Sequence, residues 1–168
     1  MPARRAFVLG LCTALAGCNL RPLLRETEDV AVREELAAIE LVGLGGRLGQ
    51  LVRNALLDEL NPTSLDVPPR YRLAIRLGRS TSALAIQLDN TITRYNLTLV
   101  ARFQLLERSQ NIELYRSTVR RIASYNVRRA PYATLAAELD AERRAAKEIS
   151  NEIRSLLAVQ FARQALVA

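Results

Sequence analysis

Two stretches of this chain alternate apolar side chains with polar or basic ones at a period of two, and this alternation restricts the possible folds more than any other feature. In residues 70–77 the odd positions are Tyr, Leu, Ile and Leu, whereas three of the four even positions are Arg. Residues 93–105 repeat the pattern, with apolar odd positions after Thr93 and mostly polar or basic even positions. A β-strand points successive side chains to opposite faces of its sheet. Each stretch is therefore predicted to be a strand with one apolar and one cationic face.

Further strands are predicted on either side of these stretches. Residues 84–106 are rich in β-branched and aromatic residues, and Asp89-Asn90 provides a turn between two strands. Residues 112–127 form a third long strand of less regular register, whose outward candidates include Arg116, Arg120 and Arg121. The apolar run 36–42 precedes a glycine-rich segment. This combination is typical of a short buried strand closed by a tight turn, and the glycine spacing does not match a phosphate-binding P-loop.

Two segments carry the spacing of amphipathic helices. Apolar residues recur every three or four positions over residues 47–60, and Asn61-Pro62 ends this helix. Pro131 opens a second helix, whose apolar positions keep the 3.6-residue period over more than 25 residues. This second helix is long enough to lie across the whole sheet.

The element order is therefore β-α-β-β-β-α, which predicts an α+β fold. We expect a two-layer sandwich in which two helices pack on one face of a mostly antiparallel four-stranded sheet. The folded domain is expected to span residues 36–168. The preceding residues 18–35 contain Pro22 and a run of mixed charge, and they are interpreted as a tether.

The amino-acid composition excludes several classes of catalytic and metal-binding site. The chain has no His, which excludes Ser-His-Asp and Cys-His nucleophilic sites and zinc sites built on imidazole. The acidic pairs Asp58/Glu59 and Glu138/Glu142 fall on predicted helix surfaces, where solvation explains them better than catalysis. We therefore expect no enzymatic activity, no metal site and no cofactor.

The first residues are typical of a targeting segment. Arg4 and Arg5 precede an apolar run at residues 6–14, and the order Leu-Ala-Gly-Cys ends at Cys18. This order resembles the lipobox of bacterial lipoproteins, in which the cysteine is acylated and the peptide is cut before it. We accordingly expect residues 1–17 to be a signal peptide and Cys18 to be the lipidation site. Asn19 is not the aspartate that retains such proteins at the inner membrane, which favours the outer membrane.

Arginine dominates the basic residues, because Lys147 is the only lysine among 24. Guanidinium groups bind phosphate and carboxylate through forked hydrogen bonds. A polyanion-binding face is one interpretation of the arginine side of the strands, and a solvated face that prevents edge-to-edge aggregation is another. A high-GC genome would also enrich arginine. A secreted protein does not meet nucleic acid, so we expect no nucleic-acid partner. The arginine side comprises Arg70, Arg72, Arg76, Arg79, Arg94, Arg102, Arg116 and Arg120, and all except Arg70 are candidate contacts for lipopolysaccharide or a partner.

The C-terminal third resembles a known family. Residues 121–127 (RIASYNV), 131–134 (PYAT) and 137–148 (AELDAERRAAKE) are similar to LptE, the lipopolysaccharide-assembly lipoprotein, in its alphaproteobacterial form. The start Gly-Cys-Asn-Leu-Arg-Pro-Leu at residues 17–23 also resembles the family's pattern, with Asn19 in place of the usual glycine. The resemblance covers the whole chain after the signal peptide but is specific only at its two ends.

The resemblance implies a non-enzymatic protein that plugs the outer-membrane β-barrel LptD, assists its assembly and binds lipopolysaccharide on its way to the outer leaflet. It also implies two helices on a four-stranded sheet. No short motif carries individual binding residues over, so the arginine candidates rest on strand alternation alone. Two other functions stay open at this point. One is an accessory scaffold lipoprotein of another envelope transport complex, without lipid contact of its own, and the other is a small periplasmic enzyme.

Overall fold

The computed structural model describes residues 26–86, 92–127 and 130–165. The predicted signal peptide, the lipidation site Cys18 and the turn at Asp89-Asn90 lie outside the described residues. The elements, in chain order, are α1 (Glu26–Ala37), β1 (Ile39–Val42), α2 (Gly46–Leu60), β2 (Tyr71–Ile86), β3 (Ile92–Glu107), β4 (Glu113–Asn126) and α3 (Pro131–Ala165).

The strands form one sheet in the order β1-β2-β3-β4. The short strand β1 runs parallel to β2 and pairs with it only from Tyr71 to Ala74. The two other pairings are antiparallel, with Leu73 opposite Leu105 and Ala101 opposite Val119. The predicted α+β class and the mostly antiparallel four-stranded sheet are confirmed.

The helices cover one face of this sheet. Odd-numbered residues of the three long strands point to the covered face, and they include the fully buried Leu73, Leu97 and Phe103. Ile149, Ile153 and Leu157 of α3 are also fully buried and belong to the same core. Burial of such side chains contributes about 1.5–3 kcal/mol each, so this single apolar layer fixes which face of the sheet stays open.

The helices α2 and α3 approach each other closely through small residues. Ser150 is completely buried, and its hydroxyl donates a hydrogen bond to the carbonyl of Ala146 at 2.8 Å. Ala145 and Ala146 lie on the same buried side of α3. Ser150 Oγ also lies 3.5 Å from the carbonyl oxygen of Val52 on α2, so these small side chains let the two helices approach each other closely. None of the helices in the described ranges is both long and apolar enough to cross a membrane.

Gly43 forms the turn that leads out of β1. Its φ of +82° belongs to the left-handed region, where side chains are disfavoured. A Cβ atom at this position would lie 2.8 Å from the carbonyl oxygen of Ile75. The glycine-rich segment is thus a tight turn pressed against β2, in agreement with the sequence prediction.

The structure differs from the sequence predictions in two elements. The second half of the expected tether, from Glu26 onward, is the helix α1, so the described part of the chain has three helices rather than two. Among residues 30–37 of α1, whose side chains the structure describes, only Val32 and Leu36 are buried, and the other positions of the helix are mostly charged, which hides the helical period in the sequence. In addition, β2 continues without a break to Ile86, because residues 78–83 keep the extended backbone although their side chains do not alternate in polarity.

Candidate anion-binding face of the sheet

The face of the sheet opposite the helices carries most of the predicted arginines. Even-numbered residues of β2, β3 and β4 point to this open face, since their odd-numbered neighbours point into the core. Its arginines are Arg72, Arg76, Arg94, Arg102, Arg116 and Arg120. Six of the seven predicted candidates therefore share one surface.

Three of these arginines already have a partner. Arg72 Nε lies 3.9 Å from Glu40 Oε2 on the neighbouring strand β1. Arg94 Nε donates a hydrogen bond to Asn126 Oδ1 at 3.0 Å. Arg116 binds Glu113 with an N–O distance of 2.5 Å, and this contact raises the pKa of the guanidinium. Arg94 and Arg116 are thus held in place by hydrogen bonds, whereas Arg72 faces Glu40 without a hydrogen bond.

The other three form a cluster that we call the guanidinium triad: Arg76, Arg102 and Arg120. All three are exposed, and none has an ion-pair partner among the residues that the structure describes. Arg76 lies directly opposite Arg102 in the β2–β3 register. Arg120 is opposite Val100, two residues before Arg102 on the same face.

Like charges directly opposite each other on a sheet cost stability, about 0.2–1 kcal/mol relative to a neutral pair. A bound anion would therefore reduce the repulsion among the three arginines of the triad. Facing residues on adjacent strands have Cβ atoms about 4.5–5.5 Å apart and diagonal neighbours about 7–8 Å, so three guanidinium groups can converge on one phosphorylated group. The triad could not be read from the sequence, because the pairing register of the strands decides it.

Between the triad and Arg94 the open face is uncharged, and it includes one exposed apolar side chain. Ile122 is 52% exposed, and it lies opposite Thr98 on β3. This apolar side chain therefore stands next to the cationic triad on the open face.

Arg79 does not share the open face, so its predicted placement is wrong. It occupies an odd position of β2 and turns towards the helices, where it binds Glu138 and Glu142 of α3. Glu142 is only 4% exposed and is also bound by Arg47 of α2. The prediction that Glu138 and Glu142 are merely solvated is therefore wrong as well. Position 79 is odd, like the core-facing Leu77, and this feature of the sequence could have placed Arg79 on the covered face.

Arg121 also lies on the covered face rather than outward as predicted. It binds Glu152 of α3 with an N–O distance of 2.6 Å, which ties β4 to the helix. A buried or half-buried ion pair of this kind positions one element against another. Arg79 and Arg121 thus serve the packing of α3 on the sheet.

A second cluster joins α1, β2 and the end of α3. Arg70 lies 3.0 Å from Glu35, and its guanidinium stands 5.9 Å from the centre of the Tyr71 ring. Tyr71 packs on Phe161 with 5.0 Å between the ring centres. Burial and the neighbouring Glu35 carboxylate raise the pKa of Tyr71 to about 12. Arg70, which the sequence places on the arginine side, is therefore engaged with α1.

Neither of these clusters is arranged for metal binding. No group of three or more His, Cys, Asp or Glu side chains in the described part of the chain could hold a metal ion.

A protein-family model matches most of the chain. The model for LptE, described as lipopolysaccharide-assembly, matches residues 31–161. The chain belongs to the LptE family. The match includes all of the sheet and most of α3, and with them the open face and the triad. No match is found among curated proteins.

Solved structures agree with membership in the LptE family. A crystal structure of a candidate lipoprotein from Caulobacter crescentus CB15 is 30% identical in sequence, with a TM-score of 0.68, and the match covers 80% of this chain and 97% of that chain. The solution structure of an uncharacterized lipoprotein B from Nitrosomonas europaea is 15% identical, with a TM-score of 0.51 and coverage of 74% and 85%. The second likeness concerns the fold alone.

Proposed function

We propose that this chain is a lipid-anchored outer-membrane protein that plugs the LptD barrel, assists its assembly and binds lipopolysaccharide through its open face. Membership in the LptE family supports the general role in lipopolysaccharide assembly. The anchor would be the acylated Cys18, exposed at the new N-terminus once residues 1–17 are removed.

The observation that carries the proposal is the guanidinium triad. Arg76, Arg102 and Arg120 stand close together, exposed, without an anion among the described residues. Phosphate groups are the ligands that forked guanidinium donors suit best, together with carboxylates. Lipid A carries phosphates next to acyl chains, and the exposed Ile122 lies beyond the triad on the same face. Charge and apolar surface therefore follow each other in the order that such a lipid requires.

The same face suits the inside of a barrel. The lumen of a large outer-membrane barrel is polar, and a plug must present a polar or charged surface to it. The helices bury the apolar face of this sheet, so the polar face is free to meet the barrel wall or its cargo. Arg72, Arg94 and Arg116, which have partners on the sheet, are the better candidates for barrel contacts, and Arg102 and Arg120 of the triad are the better candidates for lipid contacts.

Capture of the barrel from membranes tests the plug. The tagged full chain is expected to co-purify from detergent-solubilised outer membranes with a large β-barrel that mass spectrometry identifies as LptD. The Cys18→Ala variant should accumulate as unprocessed precursor, since the thiol is needed for acylation. If the chain enriches another envelope transport complex instead and lipopolysaccharide is absent from the eluate, the accessory-scaffold function replaces the proposed one.

A further inference from the structure

The two edges of the sheet are treated differently by the fold. β4 forms one edge, and guanidinium groups occupy it: Arg144 donates a hydrogen bond to the carbonyl of Ser124 at 3.2 Å, and Arg121 donates to the carbonyl of Arg120 at 3.1 Å. Charged side chains on an edge strand are a common device against further strand pairing. The β4 edge is therefore blocked.

The other edge is open over part of β2. Strand β1 pairs with β2 only as far as Ala74, and Gly43 closes over the backbone of Ile75. From Gly78 to Leu84 every residue is exposed, and the segment contains neither proline nor an acidic residue. No other strand of the described chain pairs with this side of β2.

The hydrogen-bond pattern determines which backbone groups are free. Arg108 donates its N–H to the carbonyl of Arg70 at 2.9 Å, so even-numbered residues of β2 bond to β3. Tyr71, an odd residue, donates instead to Ala38 on the β1 side. The N–H and C=O groups of the later odd residues therefore point out of the sheet; they belong to Leu77, Arg79, Thr81 and Ala83.

This spacing matches the backbone of another extended polypeptide. Donor and acceptor recur at every second residue, about 6.6–6.8 Å apart at 3.3–3.4 Å per residue. Strand addition to a free sheet edge uses this pattern of main-chain bonds for affinity and the side chains on each face for specificity.

The side chain next to the free edge indicates what the added strand carries. Arg76 borders this edge on the open face and faces Arg102, with no anion beside it in the described residues. An added strand that presents a carboxylate at this position would neutralise the repulsion between the two arginines. Beyond Arg76, the open face along the edge offers only the small side chains of Ser80 and Ser82, which favours uncharged side chains on the rest of the strand.

Two segments of the chain that could be considered for that strand lack an acidic residue. Residues 71–86 contain no Asp or Glu, so β2 of a second copy offers no carboxylate in any register. Residues 1–25 also contain none. Neither β2 of a second copy nor residues 1–25 can therefore place a carboxylate beside Arg76, and we take another protein as the occupant.

We propose that an extended segment of the barrel partner adds as a strand to the Leu77–Ala83 edge of β2, with an acidic residue facing Arg76. This inference rests on the proposed function, because it takes the barrel as the source of the strand. Arg102 and Arg120 lie further into the sheet and remain available to lipid.

A matched pair of proline variants tests the edge. Thr81→Pro and Thr118→Pro each remove an N–H that points out of the sheet, on the open and the blocked edge respectively, so the internal strand pairings persist. The tagged full chain with Thr81→Pro should capture at least about tenfold less barrel than wild type, the equivalent of about 1.4 kcal/mol, whereas Thr118→Pro should stay near wild type. Equal capture by the two variants would overturn the proposal.

A second pair of variants keeps the test decisive if Thr81→Pro folds poorly. Arg76→Ala should also lower capture of the barrel, while Arg143→Ala, an exposed change of the same charge on α3, should not. A photoactivatable cross-linker at Ser82 should attach to an extended barrel segment that contains an acidic residue. Attachment to a second copy of this chain would overturn the proposal, and so would equal capture by the two alanine variants. If wild type captures no barrel at all, the proposed function itself has failed.

Discussion

Arg79 Nε lies 3.0 Å from Glu142 Oε1, and this contact joins β2 to α3 on the covered side of the sheet. Glu142 is almost fully buried and receives a second guanidinium from Arg47 of α2. One carboxylate thus links a strand and two helices. A buried charge is tolerated only when it is paired in this way.

Removal of one of these guanidinium groups should destabilise the fold. Arg79→Ala is expected to lower the free energy of unfolding by about 2 kcal/mol, because Glu142 loses a charged hydrogen-bond partner in a buried position. Arg76→Ala, three residues earlier on the open face, is the matched control and should change stability by less than about 0.5 kcal/mol. Urea unfolding followed by circular dichroism measures both, and equal effects would show that the carboxylate does not need Arg79.

The helix α1 is expected to be part of the stable domain. Leu36 is 2% exposed, so Leu36→Ala should cost about 2–5 kcal/mol, as large-to-small changes in a core do. Val30→Ala on the same helix removes a side chain that is 55% exposed and should be nearly neutral. Thermal unfolding of the two variants distinguishes these outcomes. If the Leu36→Ala protein is as stable as wild type, α1 does not contribute to the stable domain and the segment is a tether.

Most of the fold follows from local patterns, and the exceptions have a physical cause. The alternation in residues 70–77 and 93–105 predicts two strands, and the apolar stripe predicts α2, because in each case the core side is plainly more apolar than the solvent side. Of the described side chains of α1 only those of Val32 and Leu36 are buried, so the apolar pattern is too weak to predict a helix. In the second half of β2 the small polar residues do not alternate with apolar ones, so the pattern there is also too weak to predict a strand.

The candidate site was predictable only in part. Strand alternation places six arginines on one face, but it cannot tell which of them meet across strands, since that depends on register. The Arg76–Arg102 pair and its extension to Arg120 follow from the sheet pairing. The ion pairs of Arg79 and Arg121 depend on the position of α3 in the fold. The partner of Arg79 is 59 residues away in sequence, and the partner of Arg121 is 31 residues away.

Ionisation of Tyr71 should weaken the fold at high pH. Its pKa is about 12 in the folded protein against 10.0 as the ordinary value, chiefly because of burial and then because of Glu35. A group with a raised pKa gives its full contribution below pH 10.0 and loses it as the pH rises towards 12. The loss should amount to about 1 kcal/mol, less than the whole shift implies, because the ring is partly exposed.

The Tyr71→Phe variant isolates this effect. Its free energy of unfolding should decline less steeply than that of wild type between pH 10.0 and pH 12. Tyr132→Phe, at a position that is 87% exposed, serves as the control and should follow the wild-type profile. Identical profiles for all three proteins would mean that Tyr71 titrates alike in the folded and unfolded chains.

Lipopolysaccharide binding by the full lipoprotein in detergent tests the central claim most directly. The triple variant Arg76→Ala, Arg102→Ala, Arg120→Ala should bind at least about tenfold more weakly at low salt than wild type, and the difference should shrink as salt screens exposed charges. The triple variant Arg33→Ala, Arg143→Ala, Arg163→Ala carries the same change in net charge on exposed helix positions and should bind like wild type. Equal loss in both triple variants, or no loss in either, would contradict a lipid site on the open face of the sheet.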